Sequence, residues 1–107
     1  MIMKYSEKID WETCPHQIRR SLKLYVDYHN PTGGFLNAVL ENDLFNAVVR
    51  ADPINTADLG KIVRFIRNEL EPRECFGSKE NVEAWLSPEL LRRTSRNSYR
   101  RVDGRLI

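Results

Sequence analysis

No apolar stretch in this chain of 107 residues approaches the roughly 18–20 consecutive residues that a membrane-spanning helix needs. Met1-Ile2-Met3-Lys4 also lacks the long apolar segment of a secretory signal, so a cytosolic protein without membrane contact is expected. Cysteine is scarce. Cys14 and Cys75 lie far apart, and in a cytosolic setting they are expected as free, buried, unreactive thiols and not as a bridge. Cys14-Pro15-His16 with Cys75 matches no zinc-ligand spacing. His16 and His29 stand thirteen positions apart, too far to share a helix face closely. There is no G-x-x-x-x-G-K phosphate loop, no G-x-G-x-x-G and no G-x-S-x-G. No carboxylate pair stands out from the acidic surface. With no nucleophile–base arrangement, the chain reads as a binding protein and not an enzyme, with no metal and no cofactor.

What is present is an ordinary globular composition, 41% apolar and 30% charged, in a length that fits one domain with one modest core. The net charge of +2 conceals an asymmetry. Residues 1–90 hold 11 Lys+Arg against 14 Asp+Glu, whereas residues 91–107 hold 6 Arg against 1 Asp. The positive excess therefore belongs to the tail, where it either binds an anion or is simply solvated.

The apolar spacing predicts an all-α fold, a compact bundle of five to six short helices. Residues 1–12 form an N-terminal arm or short strand, 13–91 the helical domain and 92–107 an Arg-rich tail. Trp11 is the expected anchor of the arm, which is apolar enough to suggest a subunit interface and a homo-oligomer. The first helix runs from about Pro15 to Tyr28, with Ile18, Leu22, Tyr25, Val26 and His29 on one face. A structural or surface role is expected for His29 at its C-terminus, where the helix dipole would favour the protonated form. A second run, Gly34 to Ala51, is interrupted at Glu41-Asn42-Asp43. Asn42 suits a left-handed C-cap and Asp43 an N-cap, so two short helices with a sharp bend are expected. Pro53 stops the second of them. The next helix starts at Asn55 or Thr56 and runs to about Leu70, with Leu59, Ile62, Val63, Ile66 and Leu70 on one face. Phe76 is a candidate core plug. Ser78 caps a short helix, Lys79 to Leu86, and Ser87-Pro88-Glu89 signals one more start. The stripes place Leu36, Leu40, Leu44, Val48, Leu59, Ile62, Ile66 and Trp85 in the core.

One stretch has the makings of a ligand site. In Pro31-Thr32-Gly33-Gly34 the proline fixes φ, the glycines permit backbone angles that other residues avoid, and Thr32 can cap the helix that follows. Bare N–H groups at a helix start beside two residues without side chains are the local chemistry of an anion site. The plain alternative is a helix–helix turn. Arg92, Arg93 and Arg96, with Tyr99, could meet this turn and close over a phosphate, the guanidinium forks on its oxygens and the phenol ring on a base. The mildly acidic body fits a duplex nucleic acid less well than a small phosphorylated ligand.

Pro31-Thr32-Gly33-Gly34-Phe35-Leu36, Ala38-Val39-Leu40, Asn42-Asp43-Leu44, Arg50-Ala51-Asp52, Ile62-Val63, and Gly77-Ser78 with Val82 and Trp85-Leu86 carry a resemblance across residues 15–86. Together they resemble a family of short phage and prophage proteins. Small phage proteins of this kind include counter-defence proteins, among them the anti-Thoeris and anti-CBASS sponges, which bind cyclic nucleotide-derived immune signals without cleaving them. The resemblance implies a non-enzymatic protein in the cytoplasm of a bacterial host that sequesters a small nucleotide-type signalling ligand. A module that blocks a host protein and a nucleic-acid-binding accessory protein are the alternatives. The arm and the Arg-rich tail lie outside the resemblance.

Overall fold

The computed structural model describes residues 4–87. Among them there are five α-helices and no strand: α1 (His16–Tyr28), α2 (Gly34–Leu40), α3 (Leu44–Arg50), α4 (Pro53–Glu69) and α5 (Lys79–Leu86), with 3-10 turns at Tyr5–Lys8 and Arg73–Cys75. The all-α architecture is the expected one. Within the N-terminal arm, Tyr5–Lys8 form a 3-10 turn and none of the described residues is in a strand; residues 1–3 lie outside the described residues.

Each boundary has a local cause. Pro15 stands immediately before α1, where its missing N–H costs nothing. The helix ends at His29, which takes the left-handed conformation with φ 58° and donates its N–H to the Tyr25 carbonyl at 3.0 Å. Between α2 and α3 the chain reverses as expected. Asn42 is left-handed, with φ 62°, and Asp43 accepts from the Asn46 backbone N–H at 3.2 Å and from Asn46 Nδ2 at 2.7 Å. Pro53 is not the end of a helix. It is the first residue of α4, which Asp52 caps by accepting from the Asn55 N–H at 2.7 Å. An Asp-Pro pair satisfies both rules for a helix start, and so α4 begins two to three residues earlier than its apolar spacing implied. Ser78 caps α5 through the Asn81 N–H, at 3.0 Å.

The core is drawn mostly from α1, α4 and α5. Ile18, Leu22, Tyr25 and Val26 of α1 meet Ile62, Phe65 and Ile66 of α4 and Val82 and Trp85 of α5 in one cluster, which Leu36 and Leu40 of α2 join. Its two buried polar groups of mixed character are both satisfied: Tyr25 Oη donates to the Cys75 carbonyl at 2.7 Å, and Trp85 Nε1 donates to the Tyr25 carbonyl at 2.8 Å. Gly77, at φ 110°, donates its N–H to the Leu40 carbonyl at 2.7 Å and so ties the loop before α5 to the end of α2. Phe76 is half-buried at the edge of this cluster.

The arm is bound to its own domain. Ser6 donates to Asp27 through both its N–H (2.9 Å) and its hydroxyl (2.6 Å), Ile9 is buried, and Trp11 Nε1 donates to the Ser6 carbonyl at 2.8 Å while its ring lies on Phe65. Tyr5 meets the Trp85 ring edge-on, with centroids 6.0 Å apart.

Three expected core residues are not core. Leu44 and Val48 are exposed and Leu59 is only half-buried. The buried residue of α3 is Ala47, and α4 turns Phe65 inward while Val63 is exposed. The cause is the tight reversal at Asn42-Asp43, which lays α3 directly along α2. That close approach admits alanines, Ala38 and Ala47, and leaves the large side chains of α3 on the other side.

Candidate functional site

The expected anion site starts at α2, and its geometry differs from the expectation in three ways. Gly33, not Thr32, is the N-cap residue. It offers no side chain, while the Thr32 hydroxyl donates to the Gly33 carbonyl at 3.3 Å. Gly33 has φ −70°, an angle open to any residue, and among the described residues only Gly77 is a glycine with positive φ. The bareness of Gly34 has another use: a Cβ there would stand 2.9 Å from Arg50 Nη1 and 3.3 Å from Arg50 Cδ. The guanidinium at the end of α3 thus lies over the start of α2, where no side chain caps the first N–H groups. The Arg50 side chain makes no hydrogen bond or ion pair among the described residues, where the single ion pair is Lys79–Glu83. Arg92, Arg93, Arg96 and Tyr99, and the helix start expected after Ser87, lie outside the described residues. The predicted site residues are therefore brought together only as far as Thr32-Gly33-Gly34, and the arginine beside them is one that the spacing did not single out.

The second feature is an apolar face that none of the described residues covers. On α3, Leu44, Phe45, Val48 and Val49 fall at i, i+1, i+4 and i+5, one side of a helix. They are 60%, 84%, 52% and 79% exposed. Ile54, in the first turn of α4, is exposed as well. Charge is confined to the ends of α3. Asp43 stands at its start, with Asn46 holding its carboxyl below the usual carboxylate value and Arg50 adding a weaker attraction, and Arg50 stands at its end. This surface was missed because the apolar residues were counted as core. The signal was there: Leu44-Phe45-Asn46-Ala47-Val48-Val49 holds more apolar surface than a two-turn helix can bury on one side.

A cleft of about 640 Å³ lies between the start of α1 and α4, with Glu12, His16, Lys61, Arg64, Asn68 and Glu69 among its walls. Gln17 Nε2 spans part of it, donating to Asn55 Oδ1 at 3.2 Å and Asp58 Oδ2 at 2.9 Å. Its walls mix both signs of charge, so it has the field of neither an anion nor a cation site.

The thiols are placed for structure. Cys14 and Cys75 are free and buried, and burial pushes the Cys75 thiol up to about 12 and raises that of Cys14 as well, the opposite of what a nucleophile needs. Among the described residues no three His, Cys, Asp or Glu side chains group as metal ligands. His29 has the structural role expected of it, but not the charge that the helix dipole alone would favour. Its ring stacks on Trp85 with centroids 4.0 Å apart, and Nδ1 is 2.8 Å from the Trp85 carbonyl. Burial there lowers its pKa and outweighs the carbonyl, so the neutral form is favoured despite the helix C-terminus. No described helix is long and apolar enough to cross a membrane. Compared with known proteins, the chain matches no family model, no curated protein and no solved structure.

Proposed function

We propose that this protein works by binding and not by catalysis, as an interaction module whose working surface is the apolar face of α3 and the adjoining turn of α4. One observation carries the reading: a helix of seven residues keeps Phe45 and Val49 about four-fifths exposed while burying only an alanine. The open area of Leu44, Phe45, Val48, Val49 and Ile54 is on the order of 500 Å², high in the range of ~300–600 Å² for the largest patch on a monomer, and a patch of that size is often functional. Aromatic and aliphatic side chains free of charge have the composition of an interface core. The test is a photo-reactive phenylalanine analogue at position 45 or 49 of the full chain in bacterial cells, with position 83 as the exposed control. Discrete cross-linked products at 45 and 49 and none at 83 are expected. No product at either position overturns the reading.

A second reading is favoured by the placement of Arg50. Its guanidinium, the uncapped α2 start and the bare Gly34 make a small positive site that a nucleotide phosphate would fit. This is the chemistry that the resemblance to phage counter-defence sponges implies, with Arg50 taking the part first assigned to Arg92, Arg93 and Arg96. A thermal-shift screen of cyclic nucleotides and cyclic ADP-ribose isomers tests it. A ligand that raises the melting temperature of the parent and not of Arg50→Ala supports it, and a parent that no ligand shifts excludes it.

A further inference from the structure

The outward face of α4 sorts its charges in a way that the composition hides, and from it we infer that this face docks in the major groove of duplex DNA. The inference does not depend on the α3 face. Ile62, Phe65 and Ile66 turn α4 to the core. On the opposite side Thr56, Gly60, Arg64 and Arg67 follow one another at i, i+4, i+8 and i+11. Ala57, Lys61, Val63 and Asn68 flank that row, and each of these side chains is exposed. No acid stands among them. Asp52 is occupied as the N-cap, Asp58 accepts from Gln17 at 2.9 Å, and Glu69 is the last residue of the helix. Lys61 and Asn68 border the cleft of mixed charge on one side. At the far end Arg73 donates to the carbonyls of Leu70 and Arg67, which adds a further positive charge there. The excess of acid in residues 1–90 therefore does not extend to this face.

Two observations select the occupant. The side chains of Lys61, Arg64 and Arg67 make no hydrogen bond or ion pair among the described residues, so their donors are available to a row of phosphates. Gly60 is the second. A glycine in mid-helix weakens the helix, and the fold does not ask for one here. The nearest atoms to a Cβ at this position would be those of the Arg64 guanidinium, at 3.6 Å, an ordinary contact. Its bareness, continued by Ala57, serves a close approach from outside. The shape of the face then chooses among nucleic acids. Phe65 is the ring that α4 carries, and it is buried, so the face offers no platform for the bases of a single strand. The major groove of A-form RNA is too narrow to be read, whereas that of B-DNA, about 12 Å wide, admits a helix. There the three basic side chains reach phosphates and guanine edges, Thr56 and Asn68 meet base edges, and Val63 suits a thymine methyl group.

The test is fluorescence anisotropy of the full chain with a labelled mixed-sequence DNA duplex of about 20 base pairs, at salt from about 50 to 200 mM. The parent should bind, with log affinity falling against log salt at a slope of about −3 or steeper. Arg64→Gln and Arg67→Gln should each weaken binding several-fold and reduce the slope by about 1. Lys8→Gln, on the exposed turn of the arm, should change neither. Gly60→Leu keeps every charge and favours the helix. It should weaken binding several-fold at an unchanged slope, with circular dichroism showing the fold intact. A parent that does not bind at the lowest salt overturns the inference. Binding that the α4 variants leave as it was places the contact in the Arg-rich tail and overturns it too, as does an equal loss with Lys8→Gln. Single-stranded DNA or duplex RNA bound as tightly as duplex DNA overturns docking in the major groove.

Discussion

At the scale of single residues, glycine and histidine do unlike jobs at positions that look alike in sequence. Gly33 sits at φ −70° with open space around it, as the uncapped start of α2. Serine fits that backbone and supplies the missing cap, so Gly33→Ser should stabilise the protein by about 0.2–0.5 kcal/mol in denaturant unfolding. Gly77 is the opposite case. At φ 110° any side chain is strained, and Gly77→Ala should cost about 1–3 kcal/mol. His29 gives a pH dependence. Its pKa is lowered from 6.5 by burial against Trp85. Above 6.5 both folded and unfolded chains hold it neutral and it contributes nothing. As pH falls below 6.5 the unfolded chain takes up a proton that the folded chain resists, so stability declines until the folded pKa is passed. Urea midpoints measured between neutral pH and about pH 5 should fall for the parent. They should fall less for His29→Asn, since asparagine tolerates the left-handed backbone without titrating.

At the scale of elements, α3 separates burial from hydrophobicity. Ala47→Leu forces a large side chain into the α2–α3 contact and should destabilise by about 1–3 kcal/mol. Val48→Ser, on the open face, should change the stability of the isolated chain by no more than about 0.5 kcal/mol. Leu40→Ala, which empties a fully buried position, should cost about 2–5 kcal/mol. Equal effects of the α3 changes in thermal unfolding would show that the face assignment is wrong. The same helix marks how far the sequence could be read. The caps were legible because each is a local event: Asn42, Asp43 and Ser78 adopt the conformations and bonds that their side chains favour. So were the burial stripes of α1 and α5, where the large residues fall on a single face. The inward face of α3 was not legible, because large and small residues both recur at helical spacing there, and only the closeness of α2 decides in favour of Ala47. The start of α4 was misread because Pro53 ends one pattern and begins another, and Asp52 settles which. At the candidate site, the helix start at Gly33-Gly34 was legible, but the approach of Arg50 was not, since it depends on how α3 folds back.

At the scale of the whole molecule, the arm is an integral part of a small domain and not an appendage. Ile9 is buried, Ser6 makes two hydrogen bonds to Asp27, and Tyr5 packs against Trp85, which itself holds α5 to α1 through the Tyr25 carbonyl. Burying one isoleucine contributes about 1.5–3 kcal/mol, and each hydrogen bond about 0.5–1.5 kcal/mol net. A domain of this size has a total stability of only about 5–15 kcal/mol. Loss of the arm therefore removes a large share of the margin. Removing residues 1–10 should lower the urea midpoint sharply, and Ile9→Ala should reproduce part of the effect in a chain that still folds. The arm and the α3 face then make separable predictions. Ile9→Ala should leave the mass per particle as it is in the parent, because the arm faces its own domain. Phe45→Glu, on the open face of α3, should leave the midpoint nearly unmoved. A mass lowered by Ile9→Ala, with an unshifted midpoint, would instead place a subunit contact at the arm.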